Sequence, residues 1–175
     1  MNAPFQFPLT GFVDDVQALA WAKEWRSDCL DAFARVETRL GDLLKAMADA
    51  SLLLGKVKIG QPTRPSFDHL REKLQAKGHW KGERRRFDAS LDPLERLLDF
   101  RPQVAHGELR VWHGRSGQWL LTLRQPEGHC AGPIRWHAYP FKDADAMRTD
   151  LQSRSAAFVD RAMDLLEQLR KAPNA

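Results

Sequence analysis

Two side chains capable of phosphate chemistry, Arg101 and His106, lie close together in the segment 99–109. Arginine carries a permanent charge on a planar fork that suits phosphate oxygens, and histidine exchanges protons near neutral pH. Together they could stabilise charge that develops on a phosphate and move the proton of a hydroxyl group. The structural alternative is that His106 complements the dipole at a helix end while Arg101 bonds the last carbonyls or pairs with Asp99 or Glu108.

Pro102 and Gly107 set the predicted backbone around this pair. In an unbroken helix, side chains five residues apart point about 140° away from each other. Pro102 lacks the N–H that would bond the carbonyl of Leu98, and it disfavours helical dihedrals at the residue before it. It therefore predicts a kink that turns both side chains toward one cleft. Gly107 is predicted to end the helix in a left-handed conformation, which places His106 in the last turn.

Most of the other segments predict helices that must position this pair. Apolar residues at spacings of three and four predict a long amphipathic helix over 13–47, capped by Asp14 or Asp15, and a last helix over 143–171. A second helix is predicted over 66–76.

The helix that carries Arg101 and His106 is predicted to begin at the run 92–95, where a capping aspartate precedes a proline and a glutamate. Residues rich in Val, Trp, Leu and Thr then predict strands over 108–113 and 118–124, and the segment 134–139, after a turn over 128–133, could add a third strand. The expected fold class is mainly α, with a small antiparallel hairpin or three-stranded sheet inserted before the last helix.

An arginine followed after four residues by His106 and Gly107, in this order of elements, resembles the HEPN superfamily over nearly the whole chain. The resemblance implies a single HEPN-like domain over 1–175, a bundle of four to five helices with an extended segment at 1–12 and a β insertion at 108–139. The family commonly has a polar residue directly after the arginine. In this chain that residue is Pro102, and Gln103 could stand in for it if the kink turns it toward the cleft.

The resemblance also implies a function. HEPN-type ribonucleases cleave RNA with the Arg/His pair and without a metal, so Arg101 and His106 are the expected catalytic residues of a toxin-type or phage-defence endoribonuclease. A homodimer is implied as well, with RNA as substrate and an antitoxin protein as a further partner. The alternative is a catalytically inactive HEPN-like module that dimerises or binds a ligand or nucleic acid.

Two other features could support an RNA-directed role. Glu37 lies near the apolar stripe of the first helix and could hold the guanidinium of Arg101, although a solvated glutamate paired with Arg35 or Arg39 is the simpler expectation. The most basic stretch, 77–87, combines cations with rings as a single-stranded RNA surface would, although such a run is more often a solvated loop. Its expected nucleic-acid-binding residues are Lys81, Arg84, Arg85, Arg86 and Trp80, with Phe87 as a second ring.

Composition restricts the remaining classes. A net charge of +4 permits a polyanionic partner, and 43% hydrophobic residues suffice for a folded core. Two cysteines with no signal sequence or apolar span predict a cytoplasmic protein with reduced thiols and no membrane partner. The four residues His113, His129, Cys130 and His137 match no common zinc spacing, so neither a metal nor a cofactor is predicted.

Overall fold

The computed structural model describes residues 9–12, 16–49, 67–68, 70–72, 81–114, 119–126 and 134–171. The chain divides into two compact units. The sheet unit comprises residues 1–29 and 102–149, and the helical unit comprises residues 30–101 and 150–175. The predicted fold class is confirmed, because the chain is mainly helical and carries an antiparallel sheet before its last helix.

The described helices include two long ones, one at each end of the chain. In chain order they are α1 (Val16–Asp49), α2 (seen at residues 67–68 and 70–72), α3 (Lys81–Glu95), α4 (Arg101–His106) and α5 (Phe141–Lys171), with a 3₁₀ turn at Leu98–Phe100. The predicted long first and last helices are confirmed, and each begins within three residues of its predicted start. Asp14 and Asp15, the predicted caps of α1, lie outside the described residues.

The sheet contains four antiparallel strands in chain order, and the three predicted strands are confirmed. They are β2 (Glu108–Gly114), β3 (Trp119–Pro126) and β4 (Ile134–Pro140), preceded by β1 (Leu9–Phe12). The segment predicted only as extended thus supplies β1, which pairs with β2. Because side chains alternate along a strand, Val111, Leu121 and Leu123 share one face, and all three are buried.

Aromatic side chains of α1, β3 and α5 also pack in the core of the sheet unit. Trp21 and Trp119 both pack against Phe141, with ring centroids 4.5 and 5.7 Å away. Trp25 is buried and donates its indole N–H to the carbonyl oxygen of Ala144 over 2.7 Å. Because the one N–H donor of the indole is hydrogen-bonded, its burial does not carry the free-energy cost of an unsatisfied donor.

In the helical unit, the buried ring of Phe158 on α5 is the packing centre for two other helices. Phe67 on α2 and Phe87 on α3 make edge contacts with it at 6.1 and 5.5 Å between centroids. Edge-to-face pairs of this kind stabilise a core by about 1 kcal/mol beyond the area they bury.

The guanidinium of Arg71 joins α2 to α3 within the helical unit. It lies 3.2 Å from Asp88, 2.5 Å from Asp92 and 3.1 Å from Glu95, and it also contacts Asp68. Burial by itself would lower the pKa of Arg71, but the hydrogen bonds that its guanidinium donates to Glu95, Asp92 and Asp88 raise it above its ordinary value. The cluster therefore keeps one permanent cation among four acids.

The predicted start of a helix at residues 92–95 is wrong. Pro93 lies in the last turn of α3, which begins at Lys81 and ends two residues after the proline. Proline inside a helix removes one hydrogen bond and crowds the preceding turn, so it favours an early end. The same residues that are typical of a helix start therefore lie where this helix stops.

The helix interruption lies before Arg101, not after it. The N–H of Arg101 donates to the carbonyl of Leu98 in the 3₁₀ turn. This bond satisfies the carbonyl that Pro102, which has no N–H, cannot bond. Pro102 is then the second residue of α4, in the first turn, where a helix has no use for its N–H. The predicted kink between Arg101 and His106 is wrong, because α4 runs unbroken through both.

None of the helices in the described part of the chain combines the length and the apolar character needed to cross a membrane.

Candidate functional site

The ion pair between Glu37 and Arg101, which the sequence offered as the less favoured of two alternatives, is present in the helical unit. The Nε–H of Arg101 donates to Oε1 of Glu37 over 2.5 Å, and the two side chains are only 18% and 25% exposed. The simpler expectation, a solvated Glu37 paired with Arg35 or Arg39, is wrong, since Glu37 is mostly buried against Arg101. Arg39 pairs instead with Asp42 at 2.9 Å. Among the described residues, none accepts a hydrogen bond from the terminal nitrogens of Arg101.

His106 belongs to the sheet unit and lies in the last turn of α4, as predicted, with its side chain exposed. A cation is favoured there because the last carbonyls of a helix carry partial negative charge. The carbonyl of Ala105 is already bonded, since Arg26 on α1 donates to it over 2.7 Å. Arg26 therefore performs the carbonyl-capping role that the structural alternative gave to Arg101.

Gly107 follows α4 for a reason that differs from the prediction. Its φ lies outside the left-handed region, so the predicted left-handed cap is wrong. Its N–H instead continues the helical pattern and donates to the carbonyl of Gln103 over 2.8 Å. A Cβ at this position would overlap that carbonyl oxygen and lie 3.2 Å from the Cβ of Leu123. Glycine is required at this position because the Gln103 carbonyl and the Leu123 side chain lie too close for a Cβ.

Gln103 is half-buried in the sheet unit, where its side-chain oxygen accepts a hydrogen bond from the hydroxyl of Tyr139 over 2.9 Å. Burial raises the pKa of Tyr139, so this hydroxyl stays protonated and remains a donor. Gln103 was predicted to replace the polar residue missing after Arg101. The contact with Tyr139 gives it a structural partner, and no local pattern in the sequence signals that contact.

The unbroken backbone of α4 bears on how its two charged residues could cooperate. Residues five apart on a regular helix leave the axis about 140° apart. Convergence of Arg101 and His106 on one cleft stays a prediction. It now depends on the reach of the side chains and no longer on a kink.

The basic stretch is helical where it is described, so the expected loop is wrong there. Arg85 and Arg86 are exposed on α3, whereas Phe87 is fully buried against Phe158 and cannot stack on a base. Lys81 and Arg84 also belong to α3, but their side chains, like the whole of Trp80, lie outside the described part of the chain.

No family model matches the chain, and no curated protein or solved structure matches it either. The HEPN resemblance therefore depends on Arg101, His106 and the order of the elements. Within the described ranges, no three His, Cys, Asp or Glu side chains lie together as a metal ion would need.

Proposed function

We propose that the chain is a HEPN-like, RNA-directed protein that acts as a metal-independent endoribonuclease of the toxin or phage-defence type. The observation that carries this proposal is the ion pair between Glu37 and Arg101. It restrains a guanidinium at the first residue of the short helix whose last turn presents an exposed His106. An oriented cation and a titratable imidazole are the two groups that RNA cleavage without a metal requires.

The proposed reaction uses the ribose of the substrate as the nucleophile. His106 takes the proton of the 2′-hydroxyl, and the 2′-oxygen attacks the adjacent phosphorus. The bond from phosphorus to the 5′-oxygen breaks, and that oxygen takes up a proton. The terminal nitrogens of Arg101 hold the phosphate oxygens while negative charge grows on them. The products are a 2′,3′-cyclic phosphate and a 5′-hydroxyl end.

A homodimer belongs to this proposal. Family resemblance implies that two protomers place two Arg/His motifs in one groove, so one copy could supply the proton acceptor and the other the proton donor. An antitoxin protein that covers the groove is the further partner expected of a toxin.

The second candidate function is a catalytically inactive module that dimerises or binds a ligand or nucleic acid. The unbroken helix α4 favours it, because helical geometry by itself separates the directions of Arg101 and His106. Pro102, in place of the family's polar residue, favours it too.

A cleavage assay in EDTA separates the two candidates. The purified chain is incubated with labelled single-stranded RNA, alongside the Arg101→Ala and His106→Ala variants and an Arg154→Ala control. Arg154 is an equally charged residue on α5, and within the described part of the chain its ion pair is with its helical neighbour Asp150. If the chain is a nuclease, wild type and the Arg154→Ala control cut the RNA, and the Arg101→Ala and His106→Ala variants do not. Equal behaviour of all four proteins would reject catalysis and favour the binding module.

A further inference from the structure

One face of the sheet carries two arginines and a tryptophan around a single carboxylate. Glu108 on β2 pairs across the sheet with Arg124 on β3, and Arg124 pairs with Trp136 on β4. Arg110 follows two residues after Glu108, so it lies on the same face. We call these four residues the Trp136 platform. Val111, Leu121 and Leu123 occupy the opposite, buried face.

Ionic contacts hold the two guanidinium groups of the platform in place. Arg110 contacts Glu108 at 2.5 Å and Arg124 contacts it at 3.1 Å. These hydrogen bonds, from Arg110 first and then Arg124, hold the pKa of the Glu108 carboxyl below its usual range. One ionised carboxylate thus serves two permanent cations, and the three side chains together carry one excess positive charge.

The same two arginines flank the indole of Trp136. Their guanidinium carbons lie 5.9 and 5.8 Å from its ring centre, within the range of a cation–π contact. Trp136 is nevertheless 50% exposed, whereas the large apolar side chains of the core are almost fully buried. An indole restrained by two cations but left half in water is a surface on which a flat ring can stack.

We propose that the Trp136 platform binds single-stranded nucleic acid, with an unpaired base stacked on Trp136 and the flanking phosphates held by Arg110 and Arg124. The excess positive charge complements a phosphate backbone, and the exposed ring requires a base that is not already paired. A duplex offers the charge but hides its bases, and an acidic peptide without aromatic residues offers charge but no ring that could stack. The proposed occupant satisfies both features of the platform.

The choice of RNA over DNA as the natural strand rests on the proposed function, since stacking by itself accepts either. The platform does not involve Arg101 or His106. It would add a binding surface to the chain whether or not those residues cleave.

The test is fluorescence anisotropy with the wild-type chain and a labelled single-stranded RNA of about twelve nucleotides, a length within the range that single-strand binding surfaces cover. The RNA is 2′-O-methylated, so it lacks the nucleophile and cannot be cut during the measurement. Trp136→Ala is expected to weaken binding by roughly 5- to 100-fold, because stacking on one ring is lost. Trp136→Phe keeps a ring and is expected to lose much less, which separates stacking from misfolding.

The arginines have a distinct expected signature. Arg110→Ala and Arg124→Ala should each reduce the slope of log affinity against log salt by about 0.7, as loss of one phosphate contact does on a single strand. Two matched substitutions on α5 serve as controls. One removes an exposed apolar side chain, and the other removes a cationic side chain about as exposed as that of Arg124. They are Met163→Ala and Arg154→Ala, and neither should change the affinity.

The proposal is overturned if wild type does not bind the strand, or if Trp136→Ala binds as tightly as wild type. It is also overturned if duplex RNA of the same sequence or an acidic peptide binds equally well, because the affinity would then come from charge alone. Cleavage of unmodified RNA gives an independent readout. If binding requires Trp136 but the chain does not cut RNA, the nuclease is rejected and the platform is supported. If the chain cuts RNA but binding does not require Trp136, the platform is rejected and the nuclease is supported.

Discussion

Loss of the Glu37 carboxylate is expected to destabilise the helical unit by a measurable amount. Exposed ion pairs contribute about 0–1 kcal/mol, whereas removal of one partner from a fully buried pair costs about 3–5 kcal/mol. The Arg101 and Glu37 side chains are 18% and 25% exposed and share one short contact, so the pair lies between these limits. We expect Glu37→Gln to lower the free energy of unfolding by about 2 kcal/mol, since the guanidinium loses its ionic partner but keeps a polar acceptor.

A double-mutant cycle measured by urea unfolding tests this value. Arg101→Met is expected to cost a similar amount, because it leaves the carboxylate unpaired in a mostly buried place. The double variant should then lose less than the sum of the two single variants, with a coupling of about 1–2 kcal/mol. The exposed pair Arg39–Asp42 is the matched control on the same helix, and its coupling should not exceed about 0.5 kcal/mol. Additive losses at Glu37 and Arg101 would refute the view that this contact restrains the guanidinium.

Three further predictions concern the backbone, the acidic cluster and the single tyrosine. Gly107→Ala should lower the free energy of unfolding by about 1–3 kcal/mol, because its methyl group would overlap the carbonyl of Gln103. Arg71→Leu should destabilise the helical unit by about 2–3 kcal/mol in thermal or urea unfolding, since the half-buried carboxylates around it lose their shared cation. In an ultraviolet titration, Tyr139 should ionise above the usual range of tyrosine, because burial raises its pKa. It is the chain's one tyrosine, so its signal is unambiguous.

Each of these predictions has its own control. Gly41→Ala, in the middle of α1, should stabilise by about 0.5–1 kcal/mol, and a similar gain at Gly107 would contradict the overlap. Arg154→Ala removes one partly exposed contact within a helix and should cost less than about 0.5 kcal/mol, so an equal loss at Arg71 would contradict the cluster's role. For Tyr139 the control is the same ultraviolet titration of the chain unfolded in urea, which gives the pKa of the exposed tyrosine. Stability from this residue is fully present below the unfolded pKa and falls as pH rises toward the raised folded pKa, and coincident titrations would refute its burial.

Elements with a strong local pattern could be predicted from the sequence. Helices α1 and α5 carry apolar residues at helical spacing for more than thirty residues each, and no tertiary contact was needed to recognise them. Strands β2 and β3 show the enrichment in Val, Trp, Leu and Thr that favours a pleated surface, and β4 contains Ile, Trp and Tyr, which favour it as well.

Elements that depend on tertiary contacts could not be predicted. Strand β1 has four residues, too few for a periodic pattern, and its pairing with β2 is set by residues about a hundred positions later. The helix start predicted at residues 92–95 was wrong for a different reason. A capping aspartate followed by proline is typical of a helix start, but the helix that already ran from Lys81 uses that proline in its last turn.

The candidate site shows the same division. Glu37 could be proposed as a partner of Arg101 because it lies close to the apolar stripe of α1, yet only the fold decides between it and a solvated alternative. The Trp136 platform could not be recognised from spacing, since its residues come from three strands. The register of Glu108, Arg124 and Trp136 places them side by side.

We propose that Arg101 and His106 cleave RNA by attack of the 2′-oxygen on the adjacent phosphorus. The most direct measurement is the chemistry of the RNA ends after incubation in EDTA with wild type, His106→Ala and a His137→Gln control. We expect 2′,3′-cyclic phosphate and 5′-hydroxyl ends from wild type and the control, and none from His106→Ala. Intact RNA with wild type, or identical ends with His106→Ala, would contradict the claim.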